Sequence, residues 1–251
     1  MLNVSGLHTE YVSDKGVVVK AAQDVSFEVP EGQLFTLLGP SGCGKTTTLR
    51  SIAGLEKPTE GVITVSGTTV YSAAQKVFVP PNKRGFGMVF QSYALYPHMT
   101  VRSNLTFGLR ISGVPRDEIE RRMARAAEVL ELGPYLERRP SQLSGGMRQR
   151  VQIARVLANQ PSLVLMDEPF GALDALTREE MTMELLRIWS ERPKTVLFVT
   201  HDIEEAIFLG SRVIVMSARP GCIKAEIAVD LPHPRSYKIK TTAEFVRLKE
   251  R

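Results

Sequence analysis

The sequence predicts an α/β protein with a mostly parallel β-sheet and an inserted helical segment. Short runs rich in Val, Ile, Leu and Phe alternate with stretches of helical periodicity, which is typical of strands joined by helical crossovers. Several of these runs are apolar without interruption, as in strands buried on both faces. Residues 92–160 differ from this pattern, because they contain helical periodicity and turns but no convincing strand.

Each predicted element has a local signal. Strands are predicted at residues 17–19, 25–29, 34–38, 62–65, 86–90, 163–166, 196–199 and 213–216. Helices are predicted after Gly44, over 117–132, after Ser144, over 175–190 and after Asp202, a favoured N-cap. We therefore expect one domain, with an α/β core (1–91 and 161–230), a helical subdomain (92–160) and a C-terminal tail (231–251).

Composition places the chain among globular proteins. Of its 251 residues 43% are hydrophobic and 24% are charged, with a net charge of +5. The arginine-rich stretch 110–139 is nearly balanced by acidic residues, and the basic segment 231–251 lacks interleaved aromatics, so both predict ordinary solvated surface and no nucleic-acid partner. No secretory signal or spanning apolar run is present, and Cys43 and Cys222 are expected to be free thiols.

A glycine-rich loop lies between the apolar run 34–38 and the helix that follows it. It fits the pattern of Gly, four residues, then Gly-Lys-Ser/Thr, whose backbone N–H groups bind phosphates at a helix N-terminus. Its lysine reaches the β- and γ-phosphates, and the hydroxyl that follows is placed to ligate Mg²⁺. The nucleotide-binding residues predicted here are Gly39, Pro40, Ser41, Gly42, Cys43, Gly44, Lys45, Thr46 and Thr47.

An acidic pair follows the buried run 163–166. Asp167 and Glu168 lie where open α/β sheets bind ligands, at the carboxyl end of a parallel strand. Asp167 is a candidate Mg²⁺ ligand, and Glu168 is a candidate base for an attacking water. Together with Lys45 and Thr46, the pair predicts nucleotide hydrolysis.

A second helix N-terminus carries Ser144, Gly145 and Gly146 within the run Leu-Ser-Gly-Gly-Met-Arg-Gln. This run resembles the signature sequence of the ATP-binding cassette (ABC) ATPases, and the family's other motifs follow in order. Gln91 resembles the Q-loop glutamine, residues 171–174 resemble the D-loop, and His201 resembles the switch histidine. Tyr11 takes roughly the place of the aromatic residue that stacks on adenine. The resemblance covers residues 2 to about 230.

The resemblance implies a P-loop NTPase core with an antiparallel β subdomain and an inserted α-helical subdomain. It also implies a head-to-tail dimer, in which ATP and Mg²⁺ bound by one subunit are covered by Ser144, Gly145 and Gly146 of the other, with Asp174 nearby. Gln91 would contact Mg²⁺ and the attacking water, and His201 would contact the γ-phosphate. Catalytic roles would thus belong to Glu168, His201 and Gln91, and metal contacts to Thr46, Gln91 and Asp167.

The resemblance also implies partners and a location. We expect an importer ATPase, peripheral on the cytoplasmic face of the inner membrane, with transmembrane permease subunits and, indirectly, an external solute-binding protein. The segment 93–100 resembles sugar, polyamine and ferric-iron importers, whereas segments 167–178 and 217–221 resemble the nitrate/sulfonate/taurine branch. The sugar and polyamine ATPases carry an extra C-terminal domain, for which we expect no room in 251 residues. The nitrate/sulfonate/taurine branch is therefore preferred. A soluble ABC protein acting on nucleic acid or ribosomes and a P-loop kinase are the rival readings.

Overall fold

The computed structural model describes residues 1–12, 16, 18–218, 220–233 and 235–251. Val17 of the predicted strand 17–19 and Arg219 of the segment 217–221 lie outside the described residues. The strands are β1 Leu2–Val12, β2 Val18–Val29, β3 Leu34–Leu38, β4 Glu60–Val65, β5 Thr68–Ser72, β6 Val77–Phe78, β7 Phe86–Val89, β8 Leu163–Asp167, β9 Thr195–Thr200, β10 Arg212–Met216 and β11 Ile223–Ala228. The α-helices are α1 Lys45–Ala53, α2 Val101–Ile111, α3 Arg116–Val129, α4 Gly145–Ala158, α5 Ala175–Glu191, α6 Ile203–Leu209 and α7 Ala243–Glu250.

A six-stranded sheet forms the centre of the molecule. Its order is β11-β10-β3-β9-β8-β7, and all neighbouring pairs are parallel except β10 with β11. Every residue of β8 and β9 is buried, which explains their uninterrupted apolar sequences. Because parallel strands end at the same edge, the loops after β3, β9, β8 and β7 lie side by side.

A second, five-stranded antiparallel sheet has the order β2-β1-β4-β5-β6. Residues 18–19 and 25–29, from two separate predicted strands, belong to one strand, β2. Burial alternates along the first half of β1, with Leu2 and Val4 inside, but a register shift between Val4 and Leu7 breaks the alternation at Gly6, whose φ is 54°. This bulge hides the period-two signal of β1 from sequence inspection.

Residues 92–160 contain α2, α3 and α4, and no strand is assigned there. Thr100 caps α2 and Ser144 caps α4, each accepting a hydrogen bond from the backbone N–H three residues later. The buried side chains Leu105, Met123 and Val151 join these helices to the core that covers one face of the central sheet. Among the described residues, no helix is both long enough and apolar enough to cross a bilayer.

The C-terminal segment is a packed element rather than a plain charged tail. A 3₁₀ turn, Tyr237–Thr241, leads into α7, whose Phe245 is 1% exposed. Buried Arg235 donates hydrogen bonds to the carbonyls at the end of α6, including those of Ile207 and Gly210 at 2.8 and 2.9 Å. The sequence analysis did not anticipate this docking, because basic residues dominate the segment.

Arg84 links helix α1 to the antiparallel sheet through backbone carbonyls. Its guanidinium donates to Ile52 O (2.6 Å) and Ser51 O (3.1 Å) at the end of α1, and to Val79 O (2.7 Å) beside the antiparallel sheet. Burial lowers the pKa of Arg84 to about 10.

Replacing this arginine is expected to be costly for folding. Arg84→Met keeps the stem but leaves several buried carbonyls without donors, so the free energy of unfolding should fall by about 2–4 kcal/mol. Urea unfolding measures the change, with the exposed neighbour Lys83→Met as a matched control. Equal stability of the two variants would contradict the structural role assigned to Arg84.

Candidate active site at the carboxyl edge of the central sheet

The predicted catalytic residues lie along one edge of the six-stranded sheet. The phosphate loop follows β3, His201 follows β9, Asp167 and Glu168 end β8, and Gln91 lies two residues beyond β7. Since the strands are adjacent in this order, the four loops span about three interstrand spacings, roughly 14 Å. The structure thus brings to one edge four loops that are distant in sequence.

The phosphate loop turns tightly around the start of α1. Gly44, with φ of 88°, occupies the N-cap position, and a Cβ built on it would lie 2.2 Å from Ala21 O, so only glycine fits. Lys45 is 4% exposed, and its Nζ donates to Gly39 O at 2.7 Å and to Pro40 O at 3.0 Å. The ammonium group therefore lies across the mouth of the loop, and its third hydrogen-bond partner is Cys43 Sγ at 3.8 Å, a weak acceptor that a phosphate oxygen could replace.

Thr46 and Asp167 form the candidate metal-binding pair. Thr46 Oγ1 donates to Asp167 Oδ1 at 2.8 Å, which joins the start of α1 to the end of β8. Asp167 is 4% exposed, and burial raises the pKa of its carboxyl group above the ordinary value. Both side chains offer oxygen atoms, the ligand type that Mg²⁺ prefers.

Glu168 leaves the strand in a left-handed conformation, with φ of 41°. Hydrogen bonds fix this turn: its N–H donates to Val199 O, and its carbonyl accepts from Gly171 N, each at 3.0 Å. Its carboxylate lies 3.0 Å from His201 Nδ1 and 3.8 Å from Lys45 Nζ. The turn therefore directs the carboxylate towards His201 and the lysine of the phosphate loop.

Tyr11 and Gln91 lie at the margins of the site. The Tyr11 hydroxyl donates to Thr47 Oγ1 at 3.4 Å, and the residue is 39% exposed beside the phosphate loop. The Gln91 amide lies near Gly171, because a Cβ on that glycine would be 3.8 Å from Gln91 Nε2. Gln91 hydrogen-bonds neither Thr46 nor Asp167 within the described part of the chain, so the structure leaves it apart from this pair.

Residues 144–146, here called the signature turn, lie against the start of α5. Ser144 Oγ accepts from Met147 N at 3.3 Å, and a Cβ on Gly146 would lie 2.7 Å from Thr177 Cγ2. Asp174 caps α5, and its hydrogen bonds from the Thr177 N–H and hydroxyl lower the pKa of its carboxyl group. No hydrogen bond or ion pair joins Ser144 to the phosphate loop among the described residues.

Sequence inspection missed a buried network behind His201. The Thr200 hydroxyl donates to the Glu205 carboxylate and accepts from the Asp202 N–H at 3.0 Å. Asp202 Oδ1 in turn accepts from Glu205 N at 2.9 Å. These bonds hold the turn that carries His201, and the only sequence signal for them is the predicted N-cap at Asp202.

This network predicts a distinctive dependence of stability on pH. Burial, opposed by the Thr200 hydrogen bond and aided by nearby Asp202, raises the pKa of Glu205 from 4.5 to about 7, with Arg178 and His201 also opposing the rise. Between these values the folded state binds more protons than the unfolded state, so the free energy of unfolding falls as pH rises through this window. Glu205→Gln should therefore be more stable than the parent at pH 8, by about 2–3 kcal/mol, and similar at pH 5.

Urea unfolding at both pH values tests this expectation. Glu204→Gln is the matched control on the same helix, because a hydrogen bond from Lys249 lowers the pKa of Glu204 and its loss should destabilise the protein at pH 8. The same pH slope in the parent and in Glu205→Gln would contradict the assignment.

Comparison with known proteins places this geometry in a family. The family model described as ABC transporter matches residues 22–171. An uncharacterised ABC transporter ATP-binding protein of Methanocaldococcus jannaschii is 46% identical over 243 residues, covering 97% of this chain and 86% of that protein. The chain belongs to the ABC transporter family. The predicted ABC ATPase identity, the P-loop α/β fold and ATP hydrolysis as the activity are thereby confirmed.

Other relatives of this ABC ATPase differ in length and in the solute that their names carry. The nitrate import ATP-binding protein of Synechocystis sp. is 43% identical over 252 residues, covering 98% of this chain and 91% of that protein. The spermidine/putrescine import ATP-binding protein of Thermobifida fusca is 50% identical over 201 residues, covering 80% of this chain but only 51% of that protein. Among solved structures, a dimeric ABC transporter cassette superposes with a TM-score of 0.77 at 32% identity, covering 92% of this chain and 100% of that one.

Proposed function

We propose that this ABC ATPase is the ATP-hydrolysing subunit of an importer and that it acts as a head-to-tail dimer. One observation carries the catalytic part of the proposal: the Glu168 carboxylate, hydrogen-bonded to His201 at 3.0 Å, faces Lys45 of the phosphate loop at 3.8 Å. A carboxylate and an imidazole so placed at a phosphate-binding loop suit attack by water on a terminal phosphate.

The phosphate loop binds the nucleotide in this proposal. Backbone N–H groups at the start of α1 and the Lys45 ammonium group face the phosphates, and Tyr11 lies beside Thr47 where a base could stack on its ring. The full nucleotide-binding set in one subunit is Tyr11, Gly39, Pro40, Ser41, Gly42, Cys43, Gly44, Lys45, Thr46 and Thr47.

Magnesium fits the residues at the end of β8. The Thr46 hydroxyl and the Asp167 carboxylate meet at 2.8 Å and are both oxygen donors, which suits a cation that usually takes one or two protein ligands besides phosphates. Thr46 and Asp167 would hold the ion, with Gln91 approaching from the loop after β7. When bound, Mg²⁺ neutralises charge on the β- and γ-phosphates.

Hydrolysis then needs one base and a fixed attack geometry. Glu168 accepts a proton from the water while the water oxygen attacks the γ-phosphorus. The bond between the γ-phosphorus and the bridging oxygen breaks, and that oxygen leaves with ADP. His201 orients the carboxylate and faces the γ-phosphate, and Gln91 positions the water. The left-handed turn at Glu168 keeps the carboxylate fixed before substrate binds.

The second subunit supplies what one chain lacks. Ser144, Gly145 and Gly146 form an exposed helix N-terminus suited to a phosphate, and Asp174 caps the helix beside it. In the proposed dimer these groups cover ATP bound to the opposite subunit. The dimeric form of the structural neighbour supports this arrangement.

The partners and the location follow from the importer role. We propose transmembrane permease subunits, an external solute-binding protein, and a peripheral position on the cytoplasmic face of the inner membrane. The proposed solute class is nitrate, sulfonate or taurine, supported by the Synechocystis relative, which matches along nearly its whole length. A sugar, polyamine or ferric-iron importer is the alternative, supported for polyamines by the 50% identity to the polyamine relative.

A pulldown tests the importer proposal. Tagged Glu168→Gln is captured from gently solubilised membranes with ATP, and the co-purifying proteins are identified by mass spectrometry. Recovery of a polytopic membrane protein with ATP supports the importer, and its solute-binding protein gives the solute. Recovery of ribosomes or nucleic acid instead would favour the alternative of a soluble ABC protein that acts on them. The double variant Lys45→Ala/Glu168→Gln, weakened in nucleotide binding, serves as the control.

A further inference from the structure

The signature turn is held from outside its own helix by an aromatic side chain. The Arg148 guanidinium lies over the Tyr93 ring, 5.0 Å from its centre, and Arg148 Nε also donates to Ser144 O at 3.4 Å. A Cβ on Gly145 would lie 3.0 Å from the Tyr93 hydroxyl oxygen, so the phenol packs against the turn itself. The residue that caps α4 is thus connected through Arg148 to a ring on a different segment.

The segment that carries Tyr93 is itself fixed to α4. Gln152 Nε2 donates to Phe90 O at 3.1 Å, and Arg155 Nη1 donates to Ala94 O at 2.7 Å. Ala94 has φ of 45°, a conformation unusual for alanine, and the Arg155 bond holds its carbonyl. Three contacts on successive turns of α4 therefore bind residues 90–94, directly around Gln91.

On its other side the signature turn contacts α5 and the loop before it. A Cβ on Gly145 would lie 3.4 Å from Leu173 Cδ2, and one on Gly146 would lie 2.7 Å from Thr177 Cγ2. Glycine at both positions lets the turn approach these side chains and the Tyr93 hydroxyl closely. Small displacements of the ring would therefore shift the Ser144 hydroxyl and the adjacent N–H groups.

We propose that Tyr93 and Arg148 are positioning residues that orient the signature turn for the nucleotide bound to the opposite subunit. The proposal rests on the proposed dimer. A guanidinium stacked on a tyrosine ring gives a directional contact, and it couples the turn to the segment around Gln91. Neither residue touches the phosphate loop of its own chain in the described hydrogen bonds and ion pairs, so their effect is on dimer closure and not on nucleotide binding by one subunit.

Variants in the Glu168→Gln background separate these two steps. The dissociation constant of the ATP-bound dimer is measured by sedimentation velocity, and ADP affinity of the monomer by calorimetry. Tyr93→Ala and Arg148→Met should each raise the dimer dissociation constant by about tenfold or more, with ADP affinity unchanged within twofold. Tyr93→Phe, which keeps the ring, should stay within about threefold of the parent. Because the two residues act as a pair, the dimer dissociation constant of the double variant should exceed that of the more affected single variant by no more than about twofold.

The outcomes distinguish the inference from the function on which it rests. A parent that stays monomeric with saturating ATP overturns the proposed dimer and this inference with it. A parent that dimerises while Tyr93→Ala and Arg148→Met dimerise equally well overturns the inference alone, as do fully additive losses in the double variant. Parallel losses of ADP affinity and of dimerisation in the variants also overturn the inference, since they would show general damage to the fold. If Tyr93→Ala does not fold, the same test uses Arg148→Met, at a half-buried position, and the double variant Tyr93→Phe/Arg148→Met.

Discussion

Glu168→Gln is expected to lower the rate of ATP hydrolysis by about 10²- to 10⁴-fold and to accumulate an ATP-bound dimer. The substitution retains size and a carbonyl oxygen that can face His201 Nδ1, so the turn after β8 should keep its shape. It removes the only feature that the reaction needs from this side chain, a carboxylate able to take the proton of the attacking water. Steady-state phosphate release and sedimentation with ATP measure the two effects.

Two observations would contradict this expectation. Hydrolysis within tenfold of the parent would mean that another group accepts the proton, with His201 the nearest candidate. A monomer at saturating ATP would contradict the proposed dimer even if hydrolysis were lost. Glu128→Gln, an exposed site on α3, controls for the loss of one negative charge.

The sequence was sufficient to predict the part of the site that depends on strand ends. Apolar runs identify β3, β8 and β9, and a parallel sheet brings their carboxyl ends to one edge, so the sequence predicts that Lys45, Asp167 and His201 lie at the same edge. The helix starts at Ser144 and Asp202 were also recognisable, because Ser and Asp are favoured N-caps and each accepts the expected bond.

Other features depend on long-range contacts that leave little trace in local sequence. The strand β1 was missed because the bulge at Gly6 interrupts its alternation. The docking of α7 was missed because charged residues surround Phe245, and the segment is fixed by Arg235, whose partners are backbone carbonyls about 25 residues away. Backbone carbonyl acceptors leave no signature in the sequence, so a buried arginine of this kind cannot be distinguished there from an ordinary surface arginine.

The position of Gln91 illustrates a third limit. Sequence order places it after β7 at the correct edge of the sheet, yet its amide lies near Gly171 and hydrogen-bonds neither Thr46 nor Asp167 among the described residues. The carboxyl edge fixes which loop carries the glutamine but not the direction of a flexible side chain. Its role towards Mg²⁺ and the attacking water therefore remains a proposal that depends on bound nucleotide.

Lys45→Ala is expected to weaken ATP and ADP binding by about 10- to 100-fold, because hydrogen bonds to charged groups contribute about 1.5–3 kcal/mol. The Lys45 ammonium group already donates to Gly39 O and Pro40 O, and its third acceptor is the weak Cys43 Sγ at 3.8 Å, which a phosphate oxygen can replace. The side chain is almost fully buried, which makes its charge count for more than that of a surface lysine.

Calorimetric titration of nucleotide tests this prediction against two comparisons. Lys57→Ala removes an exposed lysine beyond α1 and should leave the affinity unchanged. Lys45→Met retains most of the side-chain volume without the charge, so a loss in Lys45→Met equal to that in Lys45→Ala would assign the effect to the ammonium group, whereas near-parent affinity in Lys45→Met would assign it to packing of the loop. Unchanged affinity in both Lys45 variants would mean that the glycine-rich loop after β3 is not where the phosphates bind.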